Sequence, residues 1–126
     1  MLRRKRHKGV PYAAAQSLGA RDGQEDSYGI CYESGLSDSE YPQCFVLADG
    51  MGGAVGGSVA SQTAVDAVKL SISESQSLNG QALMDSMSVA NASVAECLLV
   101  HPDLEGMGTT LLVSAFSEGK LSWLSI

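Results

Sequence analysis

Two spacings of apolar residues divide the sequence. Cys44-Phe45-Val46-Leu47-Ala48 is a short continuous apolar run, stopped by Asp49-Gly50-Met51-Gly52-Gly53. That pattern predicts a buried strand with an acid at its C-terminal end. From about residue 54 to 75 there is no proline, and Val65, Val68 and Ile72 fall on one face of a helix. Leu83, Met87, Ala90, Val94 and Leu98 repeat every three or four residues, with Asn79 placed to cap and His101-Pro102 placed to stop a second helix. Both stripes read as core, with Met84 and Met87 needing no functional explanation. Thr109 to Phe116 predicts a strand, Ser117-Glu118-Gly119-Lys120 a hairpin turn, and Leu121 to Ile126 the returning strand. Ahead of all this, Tyr12 to Tyr32 reads as strand, loop, strand, and Glu33 to Gln43, with Gly35 and Pro42, as a surface turn. Strands, then two helices, then strands give an α+β class.

Composition narrows the function. A chain of 126 residues suits one domain or part of one, and 44% hydrophobic with 17% charged residues argues against disorder. Net charge is −6, but Arg3, Arg4, Lys5, Arg6 and Lys8 hold five of the eight basic residues, so from Val10 onward Arg21, Lys69 and Lys120 face all fourteen acids. Such a body is unsuited to a phosphate track, and nucleic acid is excluded as a partner. Residues 1–11 read as a basic disordered tail and 12–126 as the folded part. Cys31, Cys44 and Cys97 are odd in number and form no C-x-x-C pair, which indicates neither a disulfide framework nor a zinc knuckle, and a reducing cytoplasm is the expected setting. No uninterrupted apolar run reaches the ~18 residues of a membrane span.

Chemistry concentrates in two segments. In Asp49-Gly50-Met51-Gly52-Gly53 a carboxylate meets glycines that let backbone carbonyls approach a ligand, a combination suited to a hard divalent cation. The plainer alternative is that Asp49 caps the following helix or forms an Asx turn. Phosphate-loop readings fail on identity: Gly57 is followed by Ser58-Val59 instead of Lys-Ser/Thr, and Val55 stands where a dinucleotide fingerprint needs glycine. In Gly19-Ala20-Arg21-Asp22-Gly23-Gln24-Glu25-Asp26, Arg21 could grip a phosphate dianion through two parallel N–H···O bonds, or simply pair with Asp22 or Glu25 at the surface. In a strand Glu25 and Asp26 would point to opposite faces, so their roles should differ.

Four motifs occur in order: G-x-R-x-x-Q-E-D at Gly19 to Asp26, F-V-L-A-D-G-M-G-G at Phe45 to Gly53, G-x-x-A-S at Gly57 to Ser61, and G-M-G-T-T at Gly106 to Thr110. Together they resemble the N-terminal part of the metal-dependent PPM/PP2C protein serine/threonine phosphatases, bacterial branch, over about residues 12 to 126. The resemblance implies a four-layer αββα sandwich of two antiparallel sheets flanked by helix pairs, represented by its incomplete N-terminal half. It implies two Mn²⁺ or Mg²⁺ ions, Asp49 bridging them and the Gly50 carbonyl coordinating one. Glu25 and Asp26 would hold the metals' water ligands, Arg21 would grip the substrate phosphate, and a metal-activated water would hydrolyse phosphoserine or phosphothreonine in a protein substrate. Met51 stands where many eukaryotic members carry histidine and cannot transfer a proton, and neither His7 nor His101 replaces it. Thr109, Thr110 and Cys44 read as structural.

The family continues after the Trp123 strand with a G-D-S-R segment and two further metal-binding aspartates. A chain stopping at Ile126 lacks them, which predicts a poor metal cage and little or no turnover from this chain alone. The alternative function is a non-catalytic phosphoprotein-binding or regulatory module that keeps Arg21. Exposed strand edges predict self-association.

Overall fold

The computed structural model describes residues 11–31 and 43–126. The basic tail and most of the surface turn read at residues 33–43 lie outside the described residues. Strands β1 (Asp26–Cys31) and β2 (Cys44–Met51) are followed by helices α1 (Gly53–Glu74) and α2 (Gly80–Val100), a short 3₁₀ turn at Pro102–Leu104, and strands β3 (Gly108–Thr109), β4 (Leu112–Ser117) and β5 (Lys120–Ser125). The sheet is antiparallel with order β1-β2-β4-β5, and β3 pairs with the far end of β2.

Alternation in β2 explains how the layers assemble. Cys44, Val46, Ala48 and Gly50 are buried, while Leu47, Asp49 and Met51 are exposed. The inward set meets Val65, Val68 and Ile72 of α1, all buried, and Leu83, Met87 and Ala90 of α2 complete the same core. Gly29, mid-strand in β1, lies close against α1. A Cβ there would stand 2.8 Å from Val65 Cγ1 and 2.9 Å from Val46 Cγ1. A buried hydroxyl pair, Ser27 Oγ to Ser61 Oγ at 2.9 Å, joins β1 to α1, and the Ser61 hydroxyl donates to the Ser58 carbonyl.

Both helix predictions agree closely with the structure. The Asn79 side chain accepts from the Ala82 N–H at 2.9 Å, and His101 closes α2. Met84, which lies outside the Leu83–Leu98 stripe, is 55% exposed, because it falls beside the buried Leu83 on the outer side of α2. By length and mean hydropathy (1.3 over an 18-residue window) α2 could cross a membrane. Here its inner face, with Ala82, Leu83, Ser86, Met87 and Ala90, is buried within the fold.

Other expectations need correction. Residues 12–16 form no strand: they are exposed, and the segment is tied down by the Gln16 side chain donating to the Asp26 carbonyl and by an edge-on Tyr12–Phe45 ring contact at 5.7 Å. The predicted strand from Thr109 divides into β3 and β4, because Thr110 leaves the ladder to bond the Asp49 backbone. The β4–β5 hairpin turns through Glu118 and Gly119, both at positive φ (52° and 75°), as a two-residue turn matching strand twist requires.

Opposite the helices, the sheet face is open. Tyr28, Leu47, Leu112, Leu121 and Trp123 are all exposed there, so one helix pair and one sheet form two layers, half of a four-layer sandwich.

Candidate metal and phosphate site

The four motifs meet around Asp49. β2 changes partner at this point: Cys44 to Leu47 pair with β4, whereas Gly50 and Met51 pair with β3. Asp49 sits in the fork and is held by its backbone, its N–H donating to Thr110 Oγ1 at 3.1 Å and its carbonyl accepting from the Thr110 N–H at 2.9 Å. Thr110 is structural, as read, but its task is specific, and only the fold reveals it.

Gly50 is glycine because of packing. A Cβ there would overlap the Gly57 carbonyl oxygen and stand 2.6 Å from the Glu25 carbonyl oxygen. The first turn of α1 therefore crosses directly over the end of β2. Gly52, at φ 115°, is the N-cap of α1, and no side chain caps that helix, so the alternative in which Asp49 caps it does not hold. The turn at Gly106 and Met107 packs on the same corner: a Cβ on Gly52 would lie 2.6 Å from Met107 Cα.

Residues 17–26 form the other wall. The Arg21 N–H donates to the Leu18 carbonyl at 3.2 Å, with Gly19 at φ 59°, and this turn presents an exposed Arg21. Gln24 staples the loop, its Oε1 accepting from the Asp26 N–H at 3.1 Å and its Nε2 donating to the Ser17 carbonyl at 3.5 Å. Sequence reasoning gave Gln24 no role, although its place in the Q-E-D motif was the available signal. The Glu25 carboxylate turns toward the first turn of α1, where a Cβ on Gly57 would be 2.7 Å from Glu25 Oε2. Asp26 is exposed on the open face, directly opposite Asp49 in the β1–β2 register.

These walls enclose an open polar cleft of about 580 Å³ lined by Arg21, Glu25, Asp26, Asp49, Gly50 and Met51 among others. Arg21 makes no ion pair with Asp22 or Glu25 among the described residues, which removes the plainer reading of that side chain. Two carboxylates directly opposite on one sheet face repel. Neither the Asp26 nor the Asp49 carboxylate forms an ion pair or accepts a hydrogen bond among the described residues, a donor set to which a divalent cation would be suited. The fit is partial: among the described residues no three His, Cys, Asp or Glu side chains are grouped closely enough to hold an ion.

Known proteins resemble this arrangement. The serine/threonine protein phosphatase PstP of Mycobacterium tuberculosis is 36% identical over 92 residues, 71% of this chain and 18% of its own length. A solved bacterial serine phosphatase superposes with a TM-score of 0.69 at 25% identity, over 84% of this chain and 48% of its own. The chain matches part of a bacterial PP2C-type serine/threonine phosphatase domain. The PstP catalytic domain in complex with two manganese ions also superposes, with a TM-score of 0.53 at 26% identity, over 79% of this chain and 54% of that structure. The chain thus spans about half of the PP2C-type structures it matches and less than a fifth of the PstP sequence. No family model matches it.

Proposed function

We propose that residues 12–126 supply part of the metal and phosphate site of a phosphatase that hydrolyses phosphoserine or phosphothreonine in proteins. The juxtaposition of Asp26 and Asp49 on a cleft that also receives Arg21 carries this reading. Asp49 and the Gly50 carbonyl would hold a Mn²⁺ or Mg²⁺ ion, in keeping with the manganese complex of PstP. When bound, the cations supply an acidified water and neutralise charge on the phosphoryl oxygens. Glu25 and Asp26 orient water in the cleft, their carboxylates being turned to different sides of the Asp49 corner. Arg21 grips the phosphate through a planar pair of N–H donors, a geometry lysine lacks. Met51 carries no transferable proton, so the leaving hydroxyl takes its proton from water.

The incomplete grouping of ligands favours a second statement: this chain alone has little turnover, and on its own acts as a phosphoprotein-binding module through Arg21. Its cysteine usage fits a reducing cytoplasm.

Calorimetric titration with Mn²⁺ of the chain and of Asp49→Ala, with phosphopeptide hydrolysis on the same samples, tests both statements. Saturable binding lost in Asp49→Ala supports the metal site, and turnover lost with it makes the chain an enzyme by itself. Equal Mn²⁺ binding by both proteins overturns the assignment of Asp49. Phosphopeptide binding without turnover, lost in Arg21→Ala, supports the binding module.

A further inference from the structure

The function proposed above leaves two buried thiols unused. Cys31 ends β1 and Cys44 begins β2, at the end of the strand pair remote from Asp49, and the two residues are direct partners in the register. Both lie on the core side of the sheet, 3% and 0% exposed. The ladder's phase is set by the Gly50 N–H donating to the Glu25 carbonyl. With that phase, the Cys31–Cys44 pair falls at a hydrogen-bonded position, where a regular ladder holds Cα atoms ~5.5 Å apart, within the range a disulfide bridges. The Cys31 carbonyl also accepts from the Gln43 N–H at 3.3 Å, where the ladder ends. The two thiols are unequal. A hydrogen bond from the Cys44 thiol pulls Cys31 below the ordinary thiol value against the opposing effect of burial, with help from the Lys69 ammonium, while the same bond and burial push Cys44 up. Cys97, half-buried on α2, lacks such a partner among the described residues.

We propose that Cys31 and Cys44 are a peroxide-responsive dithiol that closes to a cross-strand disulfide. The Cys31 thiolate attacks one oxygen of a hydroperoxide; the O–O bond breaks, the other oxygen leaves as water or an alcohol, and Cys31 becomes a sulfenic acid. The Cys44 sulfur then attacks the Cys31 sulfur, loses its proton, and displaces the sulfenic oxygen as water. With hydrogen peroxide, two thiols and one peroxide give one disulfide and two waters. Among the described residues β1 is an edge strand, so on this proposal peroxide enters by fraying of its end, which would leave the β2–β4 ladder in place. The bond would clip that edge strand to the central strand on which Asp49 stands. The absence of a C-x-x-C pair hid this site from the sequence, since the partners come together only through strand pairing.

The test exposes the folded chain to hydrogen peroxide, removes the excess, unfolds it in guanidinium with N-ethylmaleimide, and maps the peptides by mass. The expected product carries one maleimide, on Cys97, and a linked Cys31–Cys44 peptide lighter by two hydrogens than the two reduced peptides; a dithiol reductant added before the maleimide should give label on all three cysteines instead. Dimedone should trap a sulfenic acid at Cys31 in Cys44→Ser, and none at Cys44 in Cys31→Ser. Maleimide on both Cys31 and Cys44, whether Cys97 is oxidised or not, overturns the proposal. So does linkage that is as frequent when the chain is unfolded before peroxide is added, because the folded register would then have no part in it.

Discussion

Asp26 and Asp49 face one another across the β1–β2 pair with their side chains on the same side of the sheet. Like charges so placed oppose folding by roughly 0.2–1 kcal/mol. In chelator, Asp26→Asn is therefore expected to raise the urea unfolding free energy by about that amount. Added Mn²⁺ should stabilise the unsubstituted chain more than the variant, shrinking or reversing the gap. Denaturation curves with and without metal measure both effects, and a variant less stable in chelator would show that the two acids do not repel.

Gly50 and Gly57 make a second comparison. Alanine at Gly50 meets backbone on two sides, the Gly57 carbonyl and the Glu25 carbonyl, neither of which can turn aside. We expect a loss of about 3 kcal/mol or more, at the upper end of overpacking costs. Alanine at Gly57 meets first the Glu25 carboxylate, which can rotate, and then the Gly50 backbone carbon at 3.1 Å, a tight contact but far short of overlap, and it gains up to ~1 kcal/mol of helix propensity. Gly57→Ala should remain folded while displacing Glu25, and circular dichroism melts of the two variants would separate them.

Thr110→Val keeps the shape of the side chain and removes the acceptor for the Asp49 N–H. The expected cost is about 0.5–1.5 kcal/mol, with Thr110→Ser close to the parent. Amide hydrogen exchange at Asp49, accelerated in the valine variant and slow in the serine variant, would locate the effect.

Trp123, the single tryptophan, is 65% exposed on the open sheet face. Its emission should be that of a solvated indole at low protein concentration and should move to shorter wavelength as the chain self-associates through this apolar face. Sedimentation velocity should show the association weakened by Trp123→Glu. Emission independent of concentration, with a monomer throughout, would contradict this.

Much of the fold was readable from local pattern. Asn79 and the Leu83–Leu98 stripe define α2, and Glu118-Gly119 a tight hairpin, because caps, helical periodicity and turns are properties of neighbouring residues. What the sequence concealed depends on residues far apart. Thr110 bonds Asp49 across 61 positions, and Gly50 is constrained by Gly57 and Glu25, which no local window joins. The glycine was read as clearance for a ligand, whereas a crossing helix requires it. The N-terminal segment misled for a related reason: a strand needs a partner, and residues 12–16 attach through a side chain and a ring contact instead. The ordered motifs placed Arg21, Glu25, Asp26 and Asp49 on the list of candidates, and the fold brings them to one cleft.

The alternation along β2 has a consequence for inheritance. Val46, Ala48 and Gly50 point inward on the same strand that turns Asp49 outward, so gaining or losing one codon within Cys44–Met51 would reverse both sets at once. Such a lesion would strip the core of its apolar contacts in the same event that buries the acid. Among surviving descendants this strand should therefore change by substitution and keep its length, and a frame-preserving deletion here should show itself as missing protein well before it could be scored as lost chemistry.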